Sequence, residues 1–453
     1  MRLPRILLCA PASGSGKTTV TCALLQALTD RGARPASFKC GPDYIDPMFH
    51  SRIIGAPAHN LDLFFLGREG CRRLLARGGR DRGVAVVEGV MGYYDGVAMS
   101  SDASAWDLAR ATDTPAVLVA DGRGCARSLA ALVKGFLTLE EDSRIRGVIL
   151  NQVSPMLYPR LKETVEQETG VRVYGFLPRL ADCALESRHL GLVTADEVAG
   201  LRAKTARLAR QAEETVDLDG LLELAASAPE LEDPGPPPAP AAGRPRIAVA
   251  RDRAFCFYYA DALELLAELG AELAEFSPLE DRALPEGASG LYLGGGYPEL
   301  YAQRLSENRE MLRSVREAVS GGMPTVAECG GFLYLHDTLE GEDGVSRPMA
   351  GVIPAHGFRT SRLGRFGYVT LRAETGGLLL EAGEELPAHE FHYWDSRRPG
   401  EAFLARKPRS DRRWSCGWHS ASLYAGFPHF HLWARPEAAR RWVEACAAYQ
   451  TKQ

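Results

Sequence analysis

The chain has 453 residues, 45% of them hydrophobic, which is enough for two or three domains with buried cores and excludes a disordered or low-complexity polypeptide. A formal charge of -5 with scattered Lys and Arg excludes a basic nucleic-acid-binding stripe, and no apolar run reaches the roughly 18 residues that cross a bilayer. Ten dispersed cysteines without a C-x-x-C pair argue against a disulfide framework or thiolate zinc site; with an N-terminus that enters a strand rather than a signal peptide, they point to a reducing cytoplasm.

In chain order, short runs rich in Val, Ile and Leu at Arg5–Ala10, Val84–Val87, Ala116–Ala120 and Val148–Leu150 predict buried parallel strands. Between them lie helical stretches such as Thr18–Arg31, with Val20, Ala23, Leu24 and Leu28 on one face and Gly32 as the stop. Strand and helix alternate, which predicts a doubly wound α/β domain over 1–228. Pro229–Pro245 is dominated by Pro, Ala and Gly and reads as a semi-extended linker. A second α/β unit over 246–453 starts at Arg246–Ala250, continues through Gly290–Leu293 and Thr325–Ala327, and ends near Trp442.

Two motifs carry chemistry. Ser13, Gly14, Ser15, Gly16, Lys17, Thr18 and Thr19 follow a strand and open a helix, the context in which backbone N–H groups and a helix dipole cradle phosphate. Lys17 would neutralise terminal phosphates and Thr18 would offer a hydroxyl to magnesium, although Pro11 replaces the usual first glycine. Glu88 ends a strand at the sheet edge where ligands of such folds collect, and Lys39, Asp43 and Asp46 lie in a turn fixed by Gly41, Pro42 and Pro47. Asp43, Asp46 and Glu88 are therefore candidate metal-binding acids.

The second motif is a strand running into Cys329, Gly330 and Gly331, an elbow that exposes a thiol and points N–H groups at an oxyanion. Such a thiol needs a base. His429 and His431 are two residues apart and, as a strand, would share one face. Gly294, Gly295 and Gly296 end another strand and suit a second oxyanion wall, so Gly295, Gly296 and Gly330 are the oxyanion candidates.

The strings SGSGKTT, KCGPDYIDP, VVEGVMGYYDG, LESRHLGL, AFCFYYADALELL, LGGGYPELYA, AECGGFLYL and HEFHYW resemble, in the right order and over nearly the whole chain, the cobyrinate a,c-diamide synthase family. These are glutamine-dependent amidases of corrinoid assembly. Cobyric acid synthases share the two-domain plan but resemble this chain less at the lysine–aspartate turn. The resemblance implies an N-terminal P-loop NTPase-like domain of dethiobiotin synthetase type and a C-terminal class I glutamine amidotransferase domain. It also implies ATP and Mg2+, with L-glutamine and a cobyrinate-type tetrapyrrole as substrates and no nucleic acid or membrane; the sequence leaves the oligomeric state open, with a homodimer as one option.

In that family glutamine is hydrolysed through a cysteinyl thioester and the ammonia passes internally to a substrate carboxylate activated as an acyl phosphate, first on the c and then on the a side chain. Carried over by residue, Cys329 is the nucleophile, Lys17 and Thr18 serve phosphate and metal, and Asp43, Asp46 and Glu88 match the metal- and substrate-activating acids. Lys39 meets a substrate carboxylate or phosphate. Asn151 sits where related ATPases read adenine, and Glu186, Arg188 and His189 match a string at the corrinoid face or cap a helix. Phe427 and Pro428 depart from the family's apolar–Tyr–Leu run, which leaves the base open between His429 and His431, with register favouring His429.

His389, Glu390, His392 and Trp394 read as a structural or glutamine-side group rather than a metal site, and Arg362 and Arg365 either as anchors for substrate carboxylates or as a solvated loop. Hydrogenobyrinate and nickel-sirohydrochlorin present similar paired acetates and remain alternatives. A reading from another class is a regulatory or partitioning-type ATPase with a silent amidotransferase-like binding domain. Cys329 discriminates, because a silent domain has no need of the nucleophile.

Overall fold

The computed structural model describes residues 1–183 and 195–452, so Glu186, Arg188 and His189 lie outside the described residues. The chain divides into two compact units, Met1–Gly235 and Pro236–Gln453. Among the described residues no helix is long and apolar enough to cross a membrane.

The first unit is built on a seven-stranded parallel sheet. Its strands are β1 (Arg5–Cys9), β2 (Pro35–Cys40), β3 (Ala58–Leu61), β4 (Val84–Glu88), β5 (Ala116–Asp121), β6 (Ile145–Asn151) and β7 (Val173–Leu177), in the order β3-β2-β4-β1-β5-β6-β7. The apolar runs predicted above are the centre of this sheet, and nearly every residue of them is buried, as strands covered on both faces require. Helix α1 (Lys17–Asp30) crosses from β1 to β2, and its Val20, Ala23, Leu24 and Leu28 pack into the core with Ile6, Leu8 and Val86. Gly32, in the left-handed region at φ 73°, closes it. The sheet direction reverses around β1, so the loop after β1 opens at a topological switch point. Glu88 ends β4, Asn151 ends β6, and Lys39 is one residue from the end of β2, at the same edge.

The second unit combines a mostly parallel sheet with antiparallel ones. Strands β8 (Arg246–Ala250), β10 (Glu272–Phe276), β11 (Gly290–Leu293) and β13 (Thr325–Glu328) form a six-stranded sheet in the order β10-β8-β11-β13, followed by Leu423–Gly426 and the antiparallel edge Trp418–His419. A small ribbon pairs β9 (Phe255–Phe257) with β12 (Gly295–Gly296). The chain between 336 and 430 supplies a four-stranded sheet and a five-stranded antiparallel sheet, and the latter ends on the pair Glu385–Phe391 with His429–Phe430. The helix Pro436–Gln450 buries Trp442 and completes the unit.

The proline-rich segment is no free tether. Its first residues dock on the first unit, where the buried Arg5 donates to Pro229 O at 2.8 Å, Leu231 N donates to Met1 O at 3.0 Å, and the Leu231 side chain is buried. Its later residues dock on the second, where Ala241 N donates to Leu269 O at 2.8 Å. Backbone hydrogen bonds and two small apolar anchors hold a sequence whose composition alone offers no core.

Candidate functional site

In the first unit, residues 11–16 form a turn between β1 and α1 in which Gly14 and Gly16 take φ 81° and 87°. Gly16 cannot be replaced without loss: a Cβ there would meet Asn151 Nδ2 at 2.0 Å. Asn151 Nδ2 in turn donates to Ser15 O at 3.0 Å, and Ser15 Oγ donates to Ala12 O at 3.0 Å. Asn151, expected from the sequence at the adenine-reading position, thus also clamps the loop from β6. Ser13 and Gly14 are exposed, and Thr19 is half-buried on the first turn of α1. The Lys17 ammonium is buried and donates to Met91 O at 2.8 Å; burial lowers its pKa and Glu88 acts against that.

Behind the loop lies a charge cluster centred on Lys39. Its ammonium is buried, pairs with Asp46, and lies 3.0 Å from Glu88 Oε1 and 3.7 Å from Asp43 Oδ2. Burial opposes a charge here, but Glu88, Asp46 and Asp43 outweigh it and hold the lysine well above its usual pKa. Lys39, expected to meet a substrate carboxylate or phosphate, here has Asp43, Asp46 and Glu88 as its neighbours. Thr18 Oγ1 donates to Glu88 Oε1 at 2.6 Å. Burial pushes the Glu88 carboxyl up to about 7, Lys39 notwithstanding.

The donor set fits a hard divalent cation in part. Glu88 Oε2 is buried and has no hydrogen-bond partner, the Thr18 hydroxyl is adjacent, and Asp43 is the more exposed of the two aspartates. Asp46, ion-paired with Lys39, is the member of the predicted metal set that fits least. Sequence reading missed His50, which is fully buried, bonds Ser37 Oγ through Nδ1 at 2.8 Å and faces Glu88 Oε2 with Nε2 at 3.5 Å.

In the second unit, β13 ends at Glu328 and the chain turns at Cys329 with φ 47° and ψ -96° before the helix Gly330–Tyr334. A non-glycine residue in that conformation is strained, the mark of a nucleophile elbow. Cys329 N is fixed by Gly426 O at 2.7 Å, and Gly331 N by Gly294 O at 3.0 Å. Gly330, on the first turn of that helix, packs against the Gly296 backbone. Gly295 must lack a side chain, because a Cβ would stand 2.5 Å from His429 Cε1. Of the three predicted oxyanion glycines, Gly330 follows the thiol residue and lies against Gly296, and Gly295 lies against the imidazole, while Gly331 N is already engaged.

The strand that carries His429 ends at Phe430, so the two histidines do not share a face as predicted. His429 is within hydrogen-bonding reach of Cys329, and its Nδ1 lies 3.0 Å from Glu328 Oε2. Burial opposes protonation of His429, but the Cys329 and Glu328 hydrogen bonds outweigh it and raise its pKa to about 10. His431 turns away: it stacks on Tyr259 at 4.7 Å, accepts from Trp433 N at 3.2 Å, and lies 3.9 Å from Asp261.

Sequence reading missed Glu328, although it is the immediate neighbour of the nucleophile. Strand alternation puts neighbours on opposite faces, and only the positive φ at Cys329 brings both side chains to one imidazole. Around this group, His389 is the cross-strand partner of His429, and burial pushes its pKa down to about 3. His392 stacks on Phe427 at 3.9 Å and bonds Trp394 O through Nδ1 at 2.6 Å, while Trp394 Nε1 donates to Glu340 O at 2.7 Å. Glu390 is buried 3.5 Å from His392 Nε2. Arg362 is exposed, and Arg365 lies over the Trp414 ring.

Residues 6–193 match the family described as the CobQ/CobB/MinD/ParA nucleotide binding domain, and residues 246–437 match the CobB/CobQ-like glutamine amidotransferase domain. A cobyrinate a,c-diamide synthase from Caldanaerobacter subterraneus subsp. tengcongensis is 39% identical over 97% of this chain and 98% of its own length. The chain belongs to the cobyrinate a,c-diamide synthase family. Members from Thermoplasma volcanium, 39% identical over 100% of this chain and 99% of that one, and from Salmonella typhimurium, 40% identical over 97% of each, bear the same name. The family is one of enzymes, and the two matched regions correspond to a nucleotide-binding unit and an amidotransferase unit.

Proposed function

We propose that the chain forms amides on a cobyrinate-type tetrapyrrole, using ATP to activate the c and then the a acetate carboxylate and glutamine as the source of nitrogen. The observation that carries this reading is the elbow thiol of Cys329 within reach of a His429 imidazole held by Glu328, in a chain whose other unit has a phosphate-type loop. An isolated amidotransferase-like binding module would need neither.

In the second unit, the Cys329 thiolate adds to the glutamine side-chain carbonyl, and His429 returns a proton to the departing nitrogen. Ammonia leaves, a thioester remains, and water releases glutamate. Gly330 and the Gly295–Gly296 backbone surround the carbonyl oxygen as it gains charge. In the first unit, a substrate carboxylate oxygen attacks the γ-phosphorus of ATP and ADP leaves. Ammonia then attacks the acyl carbon and phosphate departs. Activation is necessary because a free carboxylate offers no leaving group that ammonia can displace.

Lys17 and the N–H groups at the start of α1 neutralise the transferring phosphoryl group. Thr18, Glu88 and Asp43 would hold Mg2+, which when bound offsets charge on the phosphate oxygens. Lys39 keeps Asp46 and Glu88 from repelling the incoming anion. Incubating the purified chain with cobyrinate, hydrogenobyrinate or nickel-sirohydrochlorin plus ATP, magnesium and glutamine, and reading amide formation by mass, tests the function. The expected result is two amides on cobyrinate. ATP hydrolysis with no amide on any macrocycle would replace this reading by the regulatory one.

A further inference from the structure

The glutaminase half invites a question about its third member. A cysteine–histidine pair needs something to fix the imidazole's tautomer and orientation, and the histidine two residues further on, His431, faces Tyr259 and Asp261 instead. From the geometry we propose that Glu328, the residue immediately before the nucleophile, is the positioning acid of the thiol site, orienting His429 from the same elbow that presents Cys329. This rests on the glutaminase reading given above and adds the residue that makes the pair competent.

Three observations carry it. First, Glu328 is 1% exposed at the end of β13, and a buried carboxylate persists only where both oxygens are satisfied. Second, the two oxygens have different partners: Oε2 meets His429 Nδ1 at 3.0 Å, and Oε1 accepts the Tyr292 hydroxyl at 2.8 Å. Tyr292 is itself held between the rings of Tyr258 and Trp442 at 4.9 and 5.2 Å, so the carboxylate is braced from the side away from the imidazole. Third, the elbow φ of 47° at Cys329 breaks strand alternation and lets consecutive residues address one ring. With Nδ1 engaged by Glu328, the proton of the Cys329 thiol passes to Nε2, and the imidazolium is stabilised by an adjacent anion.

Two further features set the electrostatics of this arrangement. The charged and titratable groups facing His429 include Cys329 and Glu328 from the elbow and His389 from the neighbouring strand. Of these, Glu328 is the carboxylate in hydrogen-bond contact with the ring. Acid and nucleophile being covalent neighbours, the distance between them is fixed by the elbow backbone rather than by packing of remote segments. The imidazole alone must be brought in from elsewhere, by the pairing of His429 with His389.

The test uses the full-length chain and its Glu328→Gln, Glu328→Asp and Tyr292→Phe variants. Glutamate release is measured at saturating and subsaturating glutamine, and Cys329 alkylation by iodoacetamide from roughly pH 5 to 10. Glu328→Gln keeps shape and hydrogen-bonding capacity but removes the charge. Expected are a fall in kcat on the order of 10²- to 10⁴-fold, a KM for glutamine within about threefold, and an alkylation profile that differs from that of the wild-type chain. Glu328→Asp should recover part of kcat. Tyr292→Phe, which loosens the carboxylate without removing it, should cost about tenfold or less.

ATP- and ammonia-dependent amidation by each variant reports folding independently of the thiol site. A Glu328→Gln protein that amidates from ammonia normally, with wild-type kcat and an unshifted alkylation profile, overturns the proposal. So does a loss of kcat in Glu328→Gln that Glu328→Asp does not relieve and that leaves the alkylation profile in place, since that pattern marks a structural role. If Glu328→Gln does not fold, the decision falls to Glu328→Asp and Tyr292→Phe: shifted alkylation supports the proposal and unshifted alkylation overturns it. Should Cys329→Ala still release glutamate from glutamine, the glutaminase reading itself fails, a result distinct from any obtained at Glu328.

Discussion

The two sites handle buried charge in opposite ways. Around Lys39, one cation is shared by Asp43, Asp46 and Glu88, and the nearest hydroxyl, Thr18, also bonds into the cluster. One cation thus faces three carboxylates, and the loop before α1 is left to meet an incoming polyanion. Around Cys329 the groups instead form a line, Tyr292 to Glu328 to His429 to Cys329, in which each hydrogen bond orients the next. The first site gathers acids around a single cation; in the second, each group is held by the one before it.

The largest effect should come from the line. Cys329→Ala should lower glutamine hydrolysis on the order of 10⁵-fold and leave ammonia-dependent amidation intact, as read by glutamate release and by product mass. Lys17→Ala should do the reverse, lowering amidation from either nitrogen source by on the order of 10³-fold with glutamine hydrolysis retained. If both variants lose both activities equally, the two sites are not separable and the comparison breaks.

The cluster should show itself in stability. Lys39→Met leaves Asp46 and Glu88 buried without their cation and should cost about 3 kcal/mol in urea unfolding, with a cooperative transition retained by the second unit. The line has its own pH signature. The folded-state pKa of His429 is raised to about 10, so its contribution is fully present below the unfolded value near 6.5 and is lost as pH rises through 10. His429→Gln should remove that alkaline loss, a difference of roughly 1–3 kcal/mol between pH 6 and pH 10. The smallest effect is expected at His431→Gln: a loss of about 1 kcal/mol of stability and glutamine hydrolysis within about threefold of wild type.

The same contrast explains what the sequence revealed. The phosphate loop was legible because its chemistry is contiguous: Ser13 to Thr19 lie between an apolar strand and an amphipathic helix, and local geometry follows from local residues. Cys329 was legible for the same reason. The partners were harder. His429 lies far downstream and was favoured over His431 by register alone; the structure adds the partners, with Glu328 Oε2 at 3.0 Å from His429 Nδ1 while His431 stacks on Tyr259. Glu328 was hidden by the alternation rule that a single positive φ overrides, and His50 by a short helical segment over 45–54 with no pattern of its own. Asn151 and Lys39 were found by position, but sequence could not show that their donors reach Ser15 O and the Asp46 carboxylate. The mixed four-stranded sheet and the antiparallel five-stranded sheet between 336 and 430, with short strands of mixed polarity, escaped the search for buried parallel strands.

The central claim is that one unit makes ammonia and the other uses it. The most direct measurement supplies glutamine labelled with ¹⁵N at the side-chain amide together with unlabelled ammonium, ATP, magnesium and cobyrinate, and reads the isotope in the product amides by mass spectrometry. The account predicts labelled amides from the wild-type chain and unlabelled amides, still formed, from Cys329→Ala. Label in the Cys329→Ala product, or no product at all from that variant, would contradict it.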